Sequence, residues 1–204
     1  NALWYHALRV MEVYARDLGW PNPYGALAEQ ARESFSAFWY AEGGYLYDVL
    51  GDAPDARLRP NQLFAVSLPH SPLDYPRARA VVEAVTRHLL TPYGLRTLAP
   101  DDPAYRGQYG GDQWSRDGAY HQGTVWAWLI GPYVEAYLRV HGHTAEAKAG
   151  GRALLQPLLA HLRDAGIGSI SEIFDGDPPH APNGAISQAW SVAEVLRAWE
   201  LCRA

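Results

Sequence analysis

The sequence predicts an all-α fold, the C-terminal part of an (α/α)6 barrel (an α/α toroid), with about seven helices present. Three observations predict it. Apolar residues recur at helical spacing in seven stretches. Short links between those stretches alternate with long ones, Tyr40–Leu58, Thr91–Ala119 and Asp164–Ile186. The composition, 48% hydrophobic and 19% charged, supplies a large core.

The elements follow in order. Leu3, Ala7, Val10, Met11 and Tyr14 mark a helix from Ala2 to about Leu18, stopped by Gly19 and the prolines Pro21 and Pro23. A second helix is expected from Gly25 to Trp39, with Leu27, Ala31, Phe35 and Phe38 on one face. The third begins at Arg59-Pro60-Asn61-Gln62 and ends near Leu68. Ser71, Pro72 and Asp74 read as the N-cap, first turn and capping box of a fourth, running to about Leu90. The fifth, Tyr120 to Val140, is apolar around most of its circumference, which predicts burial, and Pro132 inside it predicts a kink. A sixth runs to about Arg163, and a seventh begins near Ser187.

Helices joined by short links are antiparallel neighbours, so all three long connections emerge at one end. Long irregular loops in compact domains are usually functional. Helices three, five and seven then form an inner layer, with two, four and six outside. Asn1 opens the chain without an initiator Met and inside helical periodicity. We therefore expect residues 1–204 to be a single but incomplete domain lacking its N-terminal helices, with apolar flanks exposed on the first and last helices.

The loops carry the candidate chemistry. Glu172 stands between Ile170 and Ile173, before a turn of Asp175, Gly176, Asp177, Pro178 and Pro179, and is a candidate general base. The competing reading is an ordinary solvated loop carboxylate. Gln188 and Trp190 open the helix that follows. The middle loop ends in Arg116 and Asp117, followed by His121, Gln122 and Trp126, which offer ionic, hydrogen-bonding and stacking groups for a polyhydroxyl ligand. Arg116 and Asp117 could equally form a structural pair, and Trp126 could be core. Asn61 and Gln62 place two amides at the same end, where caps are the alternative.

Other classes fall away. A net charge of −5 without a basic run argues against nucleic acid, and no apolar run is long enough for a membrane span. One cysteine, Cys202, gives no disulfide framework and suits a cytoplasmic protein. His121 lacks a partner at metal-ligand spacing, and two prolines break the calcium-loop spacing of Asp175 and Asp177, so neither metal nor cofactor is expected.

Three ordered motifs resemble one family. Tyr120–Trp126 (Tyr-His-Gln-Gly-Thr-Val-Trp), Arg59–Gln62 and Ser171–Asp177 with Gln188–Ser191 are similar to the C-terminal amylo-α-1,6-glucosidase domain of glycogen debranching enzymes, as is Asn1–Tyr5. The resemblance spans essentially the whole chain. It implies inverting hydrolysis of α-1,6 branch linkages in glycogen or a related α-glucan, with Glu172 as general base and Asn61, Gln62, His121, Gln122 and Trp126 binding substrate. The family's general acid, an Asp in a Trp-Met-Asp-like segment, has no counterpart here, so the chain alone is expected to be inactive. Two alternatives stay open: another (α/α)6 sugar enzyme, such as a different glucosidase or an epimerase, and a catalytically silent glucan-binding module. Oligomeric state is not legible.

Overall fold

A computed structural model describes residues 1–203. Eight α-helices are present among them: α1 Ala2–Leu18, α2 Tyr24–Phe35, α3 Phe64–Ser67, α4 Tyr75–His88, α5 Gln113–Ala119, α6 Ile130–Val140, α7 Ala145–His161 and α8 Ala189–Leu201. The strands are short: β1 Trp39–Tyr40, β2 Tyr45–Leu46, β3 Leu90–Thr91, β4 Gly94–Arg96, β5 Val125–Trp126, β6 Ile173–Phe174 and β7 Pro182–Asn183. No described helix is long and apolar enough to cross a membrane.

The expected layering is present. α6 is buried and packs against α3 on one side and α8 on the other, while α1 reaches α3. Behind this inner row, α2 covers α1, α4 covers α3 and α6, and α7 covers α6 and α8. The turns between layers are short, and the chain enters α3, α6 and α8 from the three long connections. Leu3 and Trp4 on α1 and Leu196 on α8 are exposed, leaving apolar flanks at both ends of the row.

The long connections differ from expectation, because they build a sheet. β3-β4-β5-β6-β7 form a five-stranded antiparallel meander. Leu95 pairs with Trp126, and Trp126 in turn with Ile173. Its residues Leu95, Val125, Ile173 and Phe174 are fully buried, so it closes the core beneath the loops. Gly94 permits the closest approach. At φ 139° it lies so near the Trp126 carbonyl that a Cβ would overlap it.

Several boundaries move for local reasons. The expected fifth helix begins at Ile130, because Val125 and Trp126 spend their backbone groups on the sheet and Ala127–Leu129 form a 3-10 turn. Pro132 then sits in the first turn of α6, where its missing N–H costs no intrahelical bond, and the expected cause of a kink disappears. Arg116 and Asp117 lie on α5 rather than on a loop. The third helix is a 3-10 turn, Pro60–Leu63, followed by the single turn α3. Similarly α2 ends at Phe35 and passes into a 3-10 turn, Ser36–Phe38. The fourth is capped by Asp74, whose Oδ1 accepts the Arg77 N–H at 2.9 Å, and begins at Tyr75. Ser71 instead closes the preceding turn, donating to the Ala65 carbonyl at 2.6 Å.

Phe174 is the test of this core. It is fully buried and stacks on Tyr93 at 4.6 Å. Phe174→Ala is expected to cost about 3–5 kcal/mol through the cavity it leaves. Urea unfolding should show a lower midpoint with an unchanged slope.

Candidate functional site

The sheet registers the middle connection against the last one, and polar ties complete the match. Within the middle segment the Thr97 hydroxyl accepts the Gly123 N–H at 2.9 Å, and across to the last connection the Tyr109 N–H donates to Asp175 Oδ1 at 2.8 Å. Tyr105 donates to Asp177 Oδ1 at 2.9 Å, and Arg96 Nε donates to the Gly176 carbonyl at 2.9 Å. The loop after β6 is thereby fixed to the loop before β5.

Glu172 lies immediately before β6 and is half-buried. Its backbone N–H donates to the Ala185 carbonyl at 2.9 Å, continuing the β6–β7 pairing. Its carboxylate accepts two hydrogen bonds, from the Tyr120 hydroxyl to Oε1 at 2.6 Å and from the Ala185 N–H to Oε2 at 2.8 Å. Both partners donate, as an ionised carboxylate requires. Gly184, at φ 70°, makes the second contact possible, since a Cβ there would come within 2.5 Å of Oε2. Burial, and next the bond to Glu172, push the Tyr120 phenol above its ordinary pKa of 10.0, so it stays a donor.

From Tyr120 a run of rings leads to a cavity. Tyr120 lies 4.7 Å from Trp126, edge to face, and its carbonyl accepts the Trp126 indole N–H at 3.0 Å. His121 lies nearly parallel to Trp126, with 5.4 Å between ring centroids and 7° between planes. Trp190 meets Trp126 edge to face at 5.7 Å and stacks on Trp128 at 5.6 Å. The rings of His121, Trp126, Trp128 and Trp190, with Asn61, Pro60, Thr97 and Leu129, line a cavity of 170 Å³. Residues from all three long connections or the helix starts they feed therefore meet on one rim: Asn61 from the first, His121 and Trp126 from the second, and Trp190 from the third.

Arg59 sets the positions of these parts. Its guanidinium donates to the carbonyls of Thr97 at 3.0 Å and His121 at 2.7 Å, and to Gln122 Oε1 at 2.9 Å. Asp48 Oδ2 lies 3.7 Å from Nε, and Asp48 Oδ1 accepts from Asn61 Nδ2 at 3.1 Å. Burial, and secondarily the Arg59 charge, lower the His121 pKa below its usual 6.5. His121 is exposed, and both its ring nitrogens lack a protein partner among the described residues.

The other expected site residues divide. Trp190 is exposed (46%) and offers a ring face, whereas Trp126 is 5% exposed and forms the floor beneath His121. Gln122 gives its carbonyl to Arg59 but keeps its amide nitrogen unengaged among the described residues. Gln62 is a correction. It is buried, its oxygen accepts the Leu46 N–H at 3.1 Å and its nitrogen donates to the Arg59 carbonyl at 3.0 Å. It is spent on holding the first connection.

Gln188 caps α8, accepting the Ala189 N–H at 3.0 Å. Arg116 donates to the Gly111 carbonyl at 2.7 Å and does not pair with Asp117. Neither Arg116 nor Asp117 lines the cavity.

Sequence reasoning left out Tyr120, Trp128 and Arg59. Tyr120 stands inside the motif Tyr120–Trp126, yet its partner is 52 positions away and is reached through the β5–β6 pairing. Among the described residues no three His, Cys, Asp or Glu side chains converge to hold a metal.

Comparison with known proteins gives this geometry its context. The profile of the amylo-alpha-1,6-glucosidase family matches residues 1–197. The glycogen debranching enzyme of Saccharomyces cerevisiae is 30% identical in an alignment 164 positions long that covers 70% of this chain and 10% of that protein. Among solved structures, the GH63 mannosylglycerate hydrolase from Thermus thermophilus, in complex with glucose, superposes with a TM-score of 0.67 at 20% identity. The match covers 98% of this chain and 46% of that one. Neutral trehalase from Saccharomyces cerevisiae gives a TM-score of 0.71 at 15% identity, covering 98% of this chain and 37% of that one. These likenesses show an (α/α)6 fold, of which the chain spans less than half the length of either solved relative.

The Arg59 arrangement predicts a titration. In Arg59→Gln the His121 pKa should move up towards 6.5, because a nearby positive charge is removed while burial remains. Proton NMR of the imidazole across pH 4–8, a range of about four units around the ordinary value, reads this; an unmoved midpoint would detach Arg59 from His121.

Proposed function

The chain belongs to the amylo-alpha-1,6-glucosidase family, and from that premise we propose that it supplies the base half of an inverting glycoside hydrolase site acting on α-1,6 branch linkages of glycogen or a related α-glucan. The observation that carries the reading is Glu172, held by Tyr120 and Ala185 and joined through the Tyr120 ring to Trp126, which lines an aromatic cavity fed by all three long connections.

In this reading Glu172 takes a proton from a water as that water attacks the anomeric carbon. The carboxylate suits the task because each of its oxygens accepts one protein hydrogen bond and has lone-pair capacity for a water. Trp190 offers the face of a ring to the apolar side of a glucose unit, and Asn61, His121 and Gln122 offer polar atoms to its hydroxyls. Attack from one side requires a carboxylic acid on the other, about 6.5–9.5 Å away, to protonate the leaving oxygen.

The two nearby loop carboxylates are otherwise engaged. Asp175 Oδ1 accepts from Tyr109 and Asn183, and Asp177 accepts from Tyr105. We place the acid outside residues 1–203, on helices that complete the toroid of which these residues are one part. The shared coverage with the solved relatives, 46% and 37% of their chains, supports this division. The substrate would be a branched α-glucan met in the cytoplasm, with no cofactor taking part.

The test uses the protein at its full natural length and a branched limit dextrin. Glu172→Gln should lower kcat about 10²–10⁴-fold with little change in KM, as loss of a general base does. Residues 1–204 alone should release no glucose. A Glu172→Gln enzyme that keeps most of its turnover would refute the assignment.

A further inference from the structure

Hydrogen-bonded to Ser171, the residue before Glu172, is a buried histidine that takes no part in the chemistry described so far. His161 ends α7 and is 3% exposed. Its Nε2 lies 3.1 Å from the hydroxyl of Ser171 and accepts the Ser171 backbone N–H at 3.4 Å. A ring nitrogen that accepts an amide N–H carries a lone pair, so the ring proton sits on Nδ1. Nδ1 faces Asp164 Oδ2 at 3.6 Å.

The ring also meets Phe174 edge to face at 4.9 Å and Tyr93 at 6.1 Å. Burial lowers the imidazole pKa below its usual 6.5, and Asp164 acts in the opposite direction. One imidazole thus grips the chain on both sides of Glu172, by hydrogen bonds at Ser171 and by ring contact at Phe174.

Ser171, His161 and Asp164 have the residue types of a hydrolase triad. Ser171 is 2% exposed, however, and out of a substrate's reach, so a nucleophilic role does not fit. The grip has a different use. Glu172 is anchored by Tyr120 and Ala185, and Ile170 by the Gln188 N–H on its carbonyl at 3.0 Å; Ser171, between the two, takes its side-chain and N–H contacts from His161. We propose that His161 is a positioning residue for Glu172, acting through Ser171 to fix the backbone from which the base projects. The inference rests on the reading of Glu172 as the base.

Two variants at one site separate positioning from packing, tested in the full-length protein on a branched limit dextrin. His161→Phe keeps a flat buried ring and removes the acceptor; His161→Gln keeps an acceptor within reach of the Ser171 N–H. The expected result is a fall in kcat of about 10–100-fold for His161→Phe, the scale of a displaced reacting group, with KM within about twofold. His161→Gln should recover most of the loss.

Wild-type kcat in His161→Phe, or equal losses in the two variants, would overturn the proposal. If circular dichroism shows that His161→Phe does not fold, Ser171→Ala takes its place. It should lower kcat about threefold, less than full misplacement, and an unchanged kcat would overturn the proposal. Glu172→Gln run in parallel separates the two readings. An inactive Glu172→Gln beside a normal His161→Phe fails the positioning role alone, and an active Glu172→Gln fails both.

Discussion

The pairing of β5 with β6 is the constraint on which the site depends. It aligns Val125 with Phe174 and Trp126 with Ile173, two residues on each side. With that register set, Tyr120, six residues before Trp126, reaches Glu172, one residue before Ile173, at 2.6 Å. A slip of one residue would turn every side chain to the opposite face of the sheet and the carboxylate away from Tyr120. Such short strands hold their register because the sheet lies on the core. Val125, Ile173 and Phe174 are fully buried, and the loop-to-loop bonds at Thr97, Asp175 and Asp177 lock the segments beyond the ladder.

The helical frame was legible because its signals are local. Gly19 ends α1 at the expected residue, since it adopts a left-handed conformation at φ 67° and its N–H turns back to Arg16. The buried face of α6 and the short turn into α7 were equally plain. The sheet was not, because strands of two or three residues are too short to show alternation. Val125 and Trp126 join the apolar pattern of the expected helix from Tyr120 to Val140 and read as part of it. The capping residue of α4 was misplaced because Ser71-Pro72 and Asp74 both carry start signals, and Asp74 wins by reaching the Arg77 N–H.

The site was legible in its parts and less so in their division of labour. Glu172, Asn61, His121 and Trp190 were singled out by residue type and by the rhythm of long and short links; the fold brings Asn61, His121 and Trp190 to one cavity and ties Glu172 to it through Tyr120. Gln62 shows the limit of that reasoning. An amide at a predicted helix start looks available, yet both its ends are taken by backbone from Leu46 and Arg59. Tyr120 and Arg59 show the converse: they act through partners far away in sequence, which no local pattern reveals. Buried polar groups must be paired, so the residues left for a ligand are those whose polar atoms remain unengaged once the loops have closed.

In the proposed mechanism a water, activated by Glu172, attacks from the side opposite the leaving group. Proton NMR of the sugar released during the first moments of hydrolysis of an α-1,6-branched dextrin by the full-length protein tests this directly. Release of the β-anomer, later equilibrating with the α form, is the outcome the mechanism requires. Initial release of the α-anomer would contradict it, since retention needs a covalent glycosyl intermediate on a closer carboxylate pair.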